Sequence, residues 1–217
     1  PAAARTLMHE YYDRFQPWRN HFLHHFAPFV CEVDRAFDVH ANQPRLLDLG
    51  CGVATQAHLL AIRGATIAGL DSNADRVRAG EAMTPWFAEQ SGKPELPVTL
   101  AADDAFAWLD RQPSGSFDGC YTQFALAYMR PHDKMLALID RAVRPGGRMV
   151  FREFNAGSLY NRVAARVDWL SAQEYQRVAT RLGWRCRQCK FYWLIPRRII
   201  NWGPTAPLLR ALESGLT

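Results

Sequence analysis

The sequence predicts an α/β protein: a doubly wound, mostly parallel sheet with helices on both faces, preceded by an N-terminal helical lid. Three observations carry that expectation. From Arg45 onward, short β-like runs alternate with helical segments, the pattern of crossover units and a parallel sheet. The first of those runs closes on a glycine turn, Gly50-Cys51-Gly52, just where the first helical segment begins. Ahead of Arg45, apolar and aromatic residues recur at three- and four-residue spacing, the period of a helix face.

Taken in order, residues 5–39 read as helix. Phe15, Trp18, Phe22, Phe26 and Phe29 form its apolar stripe, and Pro17 and Pro28 break the run into pieces. Strands are expected at 45–49, 65–70, 97–101, 117–123 and 148–154. Helices are expected near 53–63, 74–90, 104–110 and 132–143. Pro145-Gly146-Gly147 stops the last of these and turns the chain into the strand at 148–154. A further helix at 171–182 ends at Gly183 and leads to a sixth apolar run, "FYWLIP" at 191–196. The expected organisation is a helical lid over 1–44, a ligand-binding domain over 45–195, and a basic helical segment over 196–217.

Composition agrees with one folded domain. The chain has 217 residues, 48% of them hydrophobic and 22% charged, enough apolar content for a core at ordinary surface charge. No window reaches the roughly 18 uncharged apolar residues of a membrane span, and the opening residues lack the basic-then-apolar pattern of a secretion signal. Five cysteines is an odd number, and Cys31, Cys51 and Cys120 are scattered in apolar surroundings, which favours reduced thiols and a cytoplasmic address. Charge is uneven: residues 1–174 hold 18 Lys/Arg against 20 Asp/Glu, and residues 175–217 hold 8 against one. Such a tail is either a solvated basic face or a surface that meets an anion.

The glycine turn narrows the chemistry. In an open α/β sheet, ligands bind beyond the carboxyl ends of the strands, where strand order reverses. Dinucleotide sites place Gly-x-Gly-x-x-Gly there, but position 55 is Thr and an acid, Asp48, stands two residues before the first glycine. A pyrophosphate would be repelled by that carboxylate. An ammonium or sulfonium group would be attracted, so the turn favours a cationic, amino-acid-bearing cofactor.

Asp48-x-Gly50-x-Gly52-x-Ala54 resembles the first motif of class I S-adenosylmethionine-dependent methyltransferases, with Ala54 where a third glycine often sits. "IAGLDSN", "AADDAFAWL", "FDGCYTQFALAYM" and "LIDRAVRPGGRMVF" are similar to the family's later strands in order and spacing, over about residues 45–190. The resemblance implies a Rossmann-like fold, S-adenosyl-L-methionine as cofactor, and a set of contacts. Asp48 would orient the turn and the methionine amino group, with Gly50 and Gly52 leaving room for the cofactor. Asp71 would hold the ribose hydroxyls, with Ser72 and Asn73 beside it. Asp104 and the Ala105 amide would face the adenine, Asp103 being the alternative by a one-residue shift. Gln123 and Phe124 would border the sulfonium. On this reading Asp71→Ala lowers cofactor affinity and leaves the cofactor-free fold unaffected. The family usually closes its sheet with a strand hairpin. After "FYWLIP" no seventh strand is expected up to residue 217: either the sequence stops before that strand or the sheet edge is built differently.

Other features invite other chemistry. Cys186-x-x-Cys189 lacks two further zinc ligands nearby, and His21, His24 and His25 lie on a distant helix with no cysteine pair. No metal site is expected, and that histidine cluster reads as lid or surface packing. Tyr11 or Tyr12 is either a lid residue or plain packing. The acceptor is less legible. "TQFA" stands at 122–125 in place of Asn/Asp-Pro-Pro-Tyr, and no Pro-Cys dipeptide occurs, which disfavours amino methylation of adenine or glutamine and C5 methylation of pyrimidines. The expected partner is a small-molecule acceptor, anionic or lipid-like, with nucleic acid and protein acceptors and a non-catalytic cofactor-binding role as alternatives. Arg197 and Arg198 among interfacial aromatics add peripheral membrane contact as a further reading.

Overall fold

The computed structural model describes residues 26–153, 155–156 and 170–190. Strands β1 (Arg45–Leu49), β2 (Thr66–Asp71), β3 (Val98–Ala102), β4 (Phe117–Gln123) and β5 (Val143–Arg152) form one sheet. Every pairing is parallel and the order is β3-β2-β1-β4-β5. The central strand is apolar on both faces, because helices cover both sides of a parallel sheet. Leu46, Leu47 and Leu49 are fully buried.

Helices α1 (Ala27–Phe37), α2 (Val39–Asn42), α3 (Thr55–Arg63), α4 (Ala74–Gln90), α5 (Ala105–Asp110) and α6 (His132–Ala142) fill the intervals. α1 and α4 both pack against α3, whereas α5 packs against α6. Right-handed crossovers that run one way from β1 and the other way from β4 put these two groups on opposite faces.

The described part of the expected lid is a layer of the core. Phe29, Val33 and Phe37 of α1 and Val39 of α2 are buried with Leu46 and Tyr121 in one cluster. Gly119 is what admits Phe37 to the sheet, since a Cβ there would come within 2.1 Å of the ring. The Arg152 guanidinium, 7% exposed, pairs with Glu32 at 3.1 Å and lies 5.3 Å from the centre of the Phe29 ring, tying β5 to α1. Of the expected apolar stripe, Phe15, Trp18 and Phe22 lie outside the described residues.

The expected boundaries shift where local geometry overrides composition. β2 and β3 each begin one residue later than expected. α3 begins at Thr55 because Val53 and Ala54 complete the glycine turn, with Ala54 left-handed at φ 56°. β5 begins at Val143, paired with Phe117, and passes through an irregularity before regular pairing resumes at Gly119↔Arg148. Gly147 permits this close approach, because a Cβ would lie 2.7 Å from the Asp118 carbonyl oxygen. Pro145-Gly146-Gly147 is thus part of the strand rather than a turn before it.

The chain divides into two compact units after Glu153. In the second, helix α7 (Ala172–Arg181) starts in a capping box: Ser171 Oγ accepts from the Glu174 amide, and the Glu174 carboxylate accepts from the Ser171 amide, satisfying two end groups at once. It closes at Gly183, where the Trp184 amide reaches back to the Ala179 carbonyl at 3.0 Å. Cys186 and Cys189 are exposed on the irregular segment that follows. The run 191–196 and the basic segment with Arg197 and Arg198 lie outside the described residues. So do His21, His24, His25, Tyr11 and Tyr12.

Candidate active site

Strand order reverses between β1 and β4, so the crevice expected to bind a ligand opens at their carboxyl ends. Two segments face each other there: the turn after β1 and the segment after β4.

The first turn is held mainly by bonds to the end of β2. The Gly50 and Cys51 amides both donate to the Leu70 carbonyl, at 2.7 and 2.9 Å. The Gly52 amide donates to Asp71 Oδ2 at 2.9 Å, and the Ala54 amide to the Cys51 carbonyl. Phosphate sites at such turns depend on amides left free to donate. Here the amides of Gly50, Cys51, Gly52 and Ala54 are already engaged, so within the turn itself few donors remain for an anion. Gly50 (φ 78°) and Gly52 (φ 57°) adopt left-handed backbone. Ala125 occupies the space beside Gly50: a Cβ at position 50 would lie 2.2 Å from that of Ala125. Gly50→Ala is therefore expected to cost about 2–4 kcal/mol, from left-handed strain and overpacking together. A urea unfolding midpoint equal to that of the wild type would contradict this.

Asp48 lies at the centre of the site. It is 2% exposed, and the parallel register sets it directly beside Tyr121 of β4. Burial pushes its carboxyl up to about 7; the Tyr121 hydroxyl offsets part of that push, and the Asp71 charge adds to it. The hydroxyl stands near without closing a hydrogen bond, since Asp48 Oδ2 and Tyr121 Oη are both buried and lack a protein partner. Burying a carboxylate without compensation is costly, so this pair is suited to a cationic group. The Cys51 thiol is held well above its ordinary value by burial, then by the Asp48 and Asp71 charges. Those same causes favour its protonated form.

Asp71 is 9% exposed at the end of β2. Its second oxygen accepts from the Asn73 amide at 2.9 Å, so the residue expected to hold a ribose also holds the turn together. That changes one expectation, because loss of this carboxylate removes acceptors from two amides of the cofactor-free fold. Ser72 is exposed beside it, and Asn73 caps α4 by accepting from the Asp75 and Arg76 amides. After β3, Asp104 caps α5, accepting from Ala107 at 2.9 Å. The Ala105 amide, first in that helix, has no intrahelical acceptor. Asp103 accepts from the Asp104 amide and pairs with Arg111.

After β4, Gln123 is buried and its side-chain oxygen accepts from Gln56 of α3. Phe124 is left-handed at φ 60°, with its amide on the Arg152 carbonyl. The following amides of Ala125 and Leu126 converge on Glu153 Oε1 at 2.9 and 2.8 Å, and that of Ala127 reaches Oε2 at 3.4 Å. Sequence reasoning missed Glu153, Tyr121, Gln56 and Ala125. Glu153 fell inside the expected strand 148–154, where an acid among otherwise apolar and basic residues was the available signal; Tyr121 read only as one more strand residue.

Two buried groups serve the scaffold. His58, held down to about 4 by burial, is a neutral core residue: Nε2 meets the Thr84 hydroxyl at 2.9 Å and the ring stacks on Phe87. The Cys120 thiol is raised, first by burial and then by the Asp48 charge. Among the described residues no group of three or more His, Cys, Asp or Glu gathers as a metal site.

A family model described as "Methyltransferase domain" matches residues 19–200. The chain belongs to the class I S-adenosylmethionine-dependent methyltransferases. S-adenosyl-L-methionine is accordingly its cofactor, and the buried Asp48 carboxylate, its Oδ2 without a partner beside the glycine turn, fits that cation. Among curated relatives, the chain is 30% identical over 124 residues to demethylmenaquinone methyltransferase of Streptomyces avermitilis, covering 57% of this chain and 48% of that one. It is 31% identical over 109 residues to an S-adenosyl-L-methionine-dependent Diels-Alderase of Talaromyces variabilis, covering 50% and 36%. The chain thus spans about half the length, or less, of these relatives. A solved S-adenosylmethionine-dependent methyltransferase from Mesorhizobium loti shares the fold, with a TM-score of 0.60 at 18% identity over 84% of this chain and 91% of that one.

Proposed function

We propose that this protein transfers the methyl group of S-adenosyl-L-methionine to a small-molecule acceptor of anionic or lipid-like character. The observation that carries the reading is Asp48: a buried carboxylate with an unpartnered oxygen, next to a turn whose amides at 50, 51, 52 and 54 are already engaged. That arrangement favours a cation and disfavours a phosphate. When bound, the cofactor supplies an electrophilic methyl group on a sulfonium.

The chain's own residues would then bind and orient. Asp48 would meet the methionine ammonium, with Gly50 and Gly52 shaping the turn beneath it. Asp71 and Ser72 would take the ribose hydroxyls, and Asp104 with the Ala105 amide the adenine edge. Gln123 and Phe124 would border the reacting carbon from the β4 side. Alignment of an acceptor in line with that carbon and exclusion of water supply most of the catalysis in such a site, so no proton-transfer residue is nominated. The small-molecule class is supported by the demethylmenaquinone in one relative's name.

A second reading has one specific observation in its favour. The relative named as a Diels-Alderase is described as S-adenosyl-L-methionine-dependent, so the same site could hold the cofactor without consuming it. Two measurements separate these readings: calorimetric titration with S-adenosyl-L-methionine, and incubation with metabolite extracts followed by quantification of S-adenosylhomocysteine. Methyl transfer predicts micromolar-range binding and extract-dependent accumulation of S-adenosylhomocysteine. Binding without accumulation favours the second reading, and absence of binding rules out both.

Anionic or membrane partners of the basic tail rest on sequence alone. Among the described residues no helix is long and apolar enough to cross a membrane.

A further inference from the structure

We infer that Glu153 is a positioning residue of the cofactor pocket: its carboxylate gathers the segment after β4 and seats Ala125 against Gly50, joining the two walls of the crevice. The inference rests on the cofactor-binding reading above and adds a residue that no motif of that reading contains.

The amides of Ala125, Leu126 and Ala127 open a single 3₁₀ turn, Leu126–Tyr128, and have no carbonyl of their own turn to bind. A carboxylate that accepts all three satisfies them together, and bonds to an ionised acceptor are the stronger kind. Glu153 supplies it from the end of the neighbouring strand, one residue beyond Arg152, whose carbonyl accepts from Phe124. Four successive amides, 124 to 127, are thus held by two successive residues of the chain leaving β5. The consequence lies on the opposite wall. Ala125 fills the space that a side chain at position 50 would take, so the clamp sets how closely the β4 segment approaches the glycine turn. A purely local cap would stabilise a loop. This one also fixes the width of the crevice between Gly50 and Gln123.

The test uses the full chain and two variants, Glu153→Gln and Glu153→Asp. Gln keeps the shape but turns an NH₂ toward one or more of the amides; Asp keeps the charge but falls one methylene short. Amide hydrogen exchange is read for 124–128 and 50–54, and affinity for S-adenosylhomocysteine by calorimetry. The expected result for both variants is exchange at 125–127 faster by roughly tenfold or more, faster exchange in 50–54, and affinity weakened at least tenfold at a temperature where each variant is fully folded. In the wild type, S-adenosylhomocysteine should slow exchange at 125–127; no slowing on binding overturns the inference even if neither variant folds. Unchanged exchange at 125–127 overturns the inference. So does faster exchange with unaltered affinity, the signature of a purely structural cap. If wild type fails to bind S-adenosylhomocysteine, the cofactor-binding reading falls instead, while exchange in the variants still reports whether Glu153 holds the segment.

Discussion

Asp71→Ala should both weaken S-adenosyl-L-methionine binding by at least tenfold and lower the melting temperature of the cofactor-free protein by about 5–15 °C. The stability effect follows from the two amides that this carboxylate satisfies, Gly52 and Asn73, at 2.9 Å each. A buried donor left without its acceptor costs about 1–3 kcal/mol, and each kcal/mol shifts the midpoint of a chain this size by about 2–4 °C. The affinity effect has two sources. The ribose loses a charged acceptor, each such bond being worth about 1.5–3 kcal/mol, and the glycine turn loses the anchor that shapes it. Asp71→Asn separates them, because the amide oxygen can still accept from one backbone donor while the charge is gone. Thermal unfolding with calorimetry at a temperature below both midpoints reads the two effects. An Asp71→Ala protein as stable as the wild type would contradict the structural role, and unaltered affinity would contradict the ribose assignment.

Asp48→Asn is expected to act in opposite directions on stability and on binding. Burial first, and the Asp71 charge after it, raise the folded carboxyl from 3.8 to about 7. An acid with a folded pKa above its unfolded one binds more protons folded than unfolded within that window. Stability therefore falls as pH rises from about 4 to 7 and stays reduced above it. The full shift corresponds to a cost on the order of 4 kcal/mol as an upper figure. Asn escapes that cost but buries an amide with unmade hydrogen bonds, which leaves a net gain of about 1–3 kcal/mol at pH 8. At pH 4 the two proteins should differ little. Binding has the reverse sign, because the cationic cofactor favours the ionised carboxylate. Wild-type affinity for S-adenosyl-L-methionine should rise with pH up to about 7 and then level, with proton release on binding near pH 6. In Asp48→Asn the affinity should be at least tenfold weaker and its pH dependence flat across that range. Calorimetry in buffers of different ionisation enthalpy measures the protons directly; no release near pH 6 from the wild type would refute the assignment.

The amino-acid sequence alone determined the order of strands and helices, because that order follows from local period and punctuation. β1 and β4 were legible to the residue, since apolar runs such as "LLDL" end at glycine or polar turns. α4 was equally legible, bounded by its Asn73 cap and the Ser91-Gly92 stop. The acid-and-glycine turn pointed to a cationic cofactor for the same reason, since close backbone approach and charge are properties of residue type at short spacing; the resemblance to a family then implied which cofactor. Tertiary structure decided what depends on distant pairing. That Asp48 lies beside Tyr121, with Asp48 Oδ2 and the Tyr121 hydroxyl both buried and unpartnered, comes from the β1–β4 register, and the raised carboxyl follows from that burial. That Gly50 makes room for Ala125 requires residues 75 positions apart to meet. That Glu153 caps amides 26 to 28 residues earlier in the chain is likewise invisible to a local pattern. The physical division is one of range. Side-chain period and backbone permission act over a few residues, whereas desolvation and hydrogen-bond satisfaction are properties of whichever chain segments the sheet brings together.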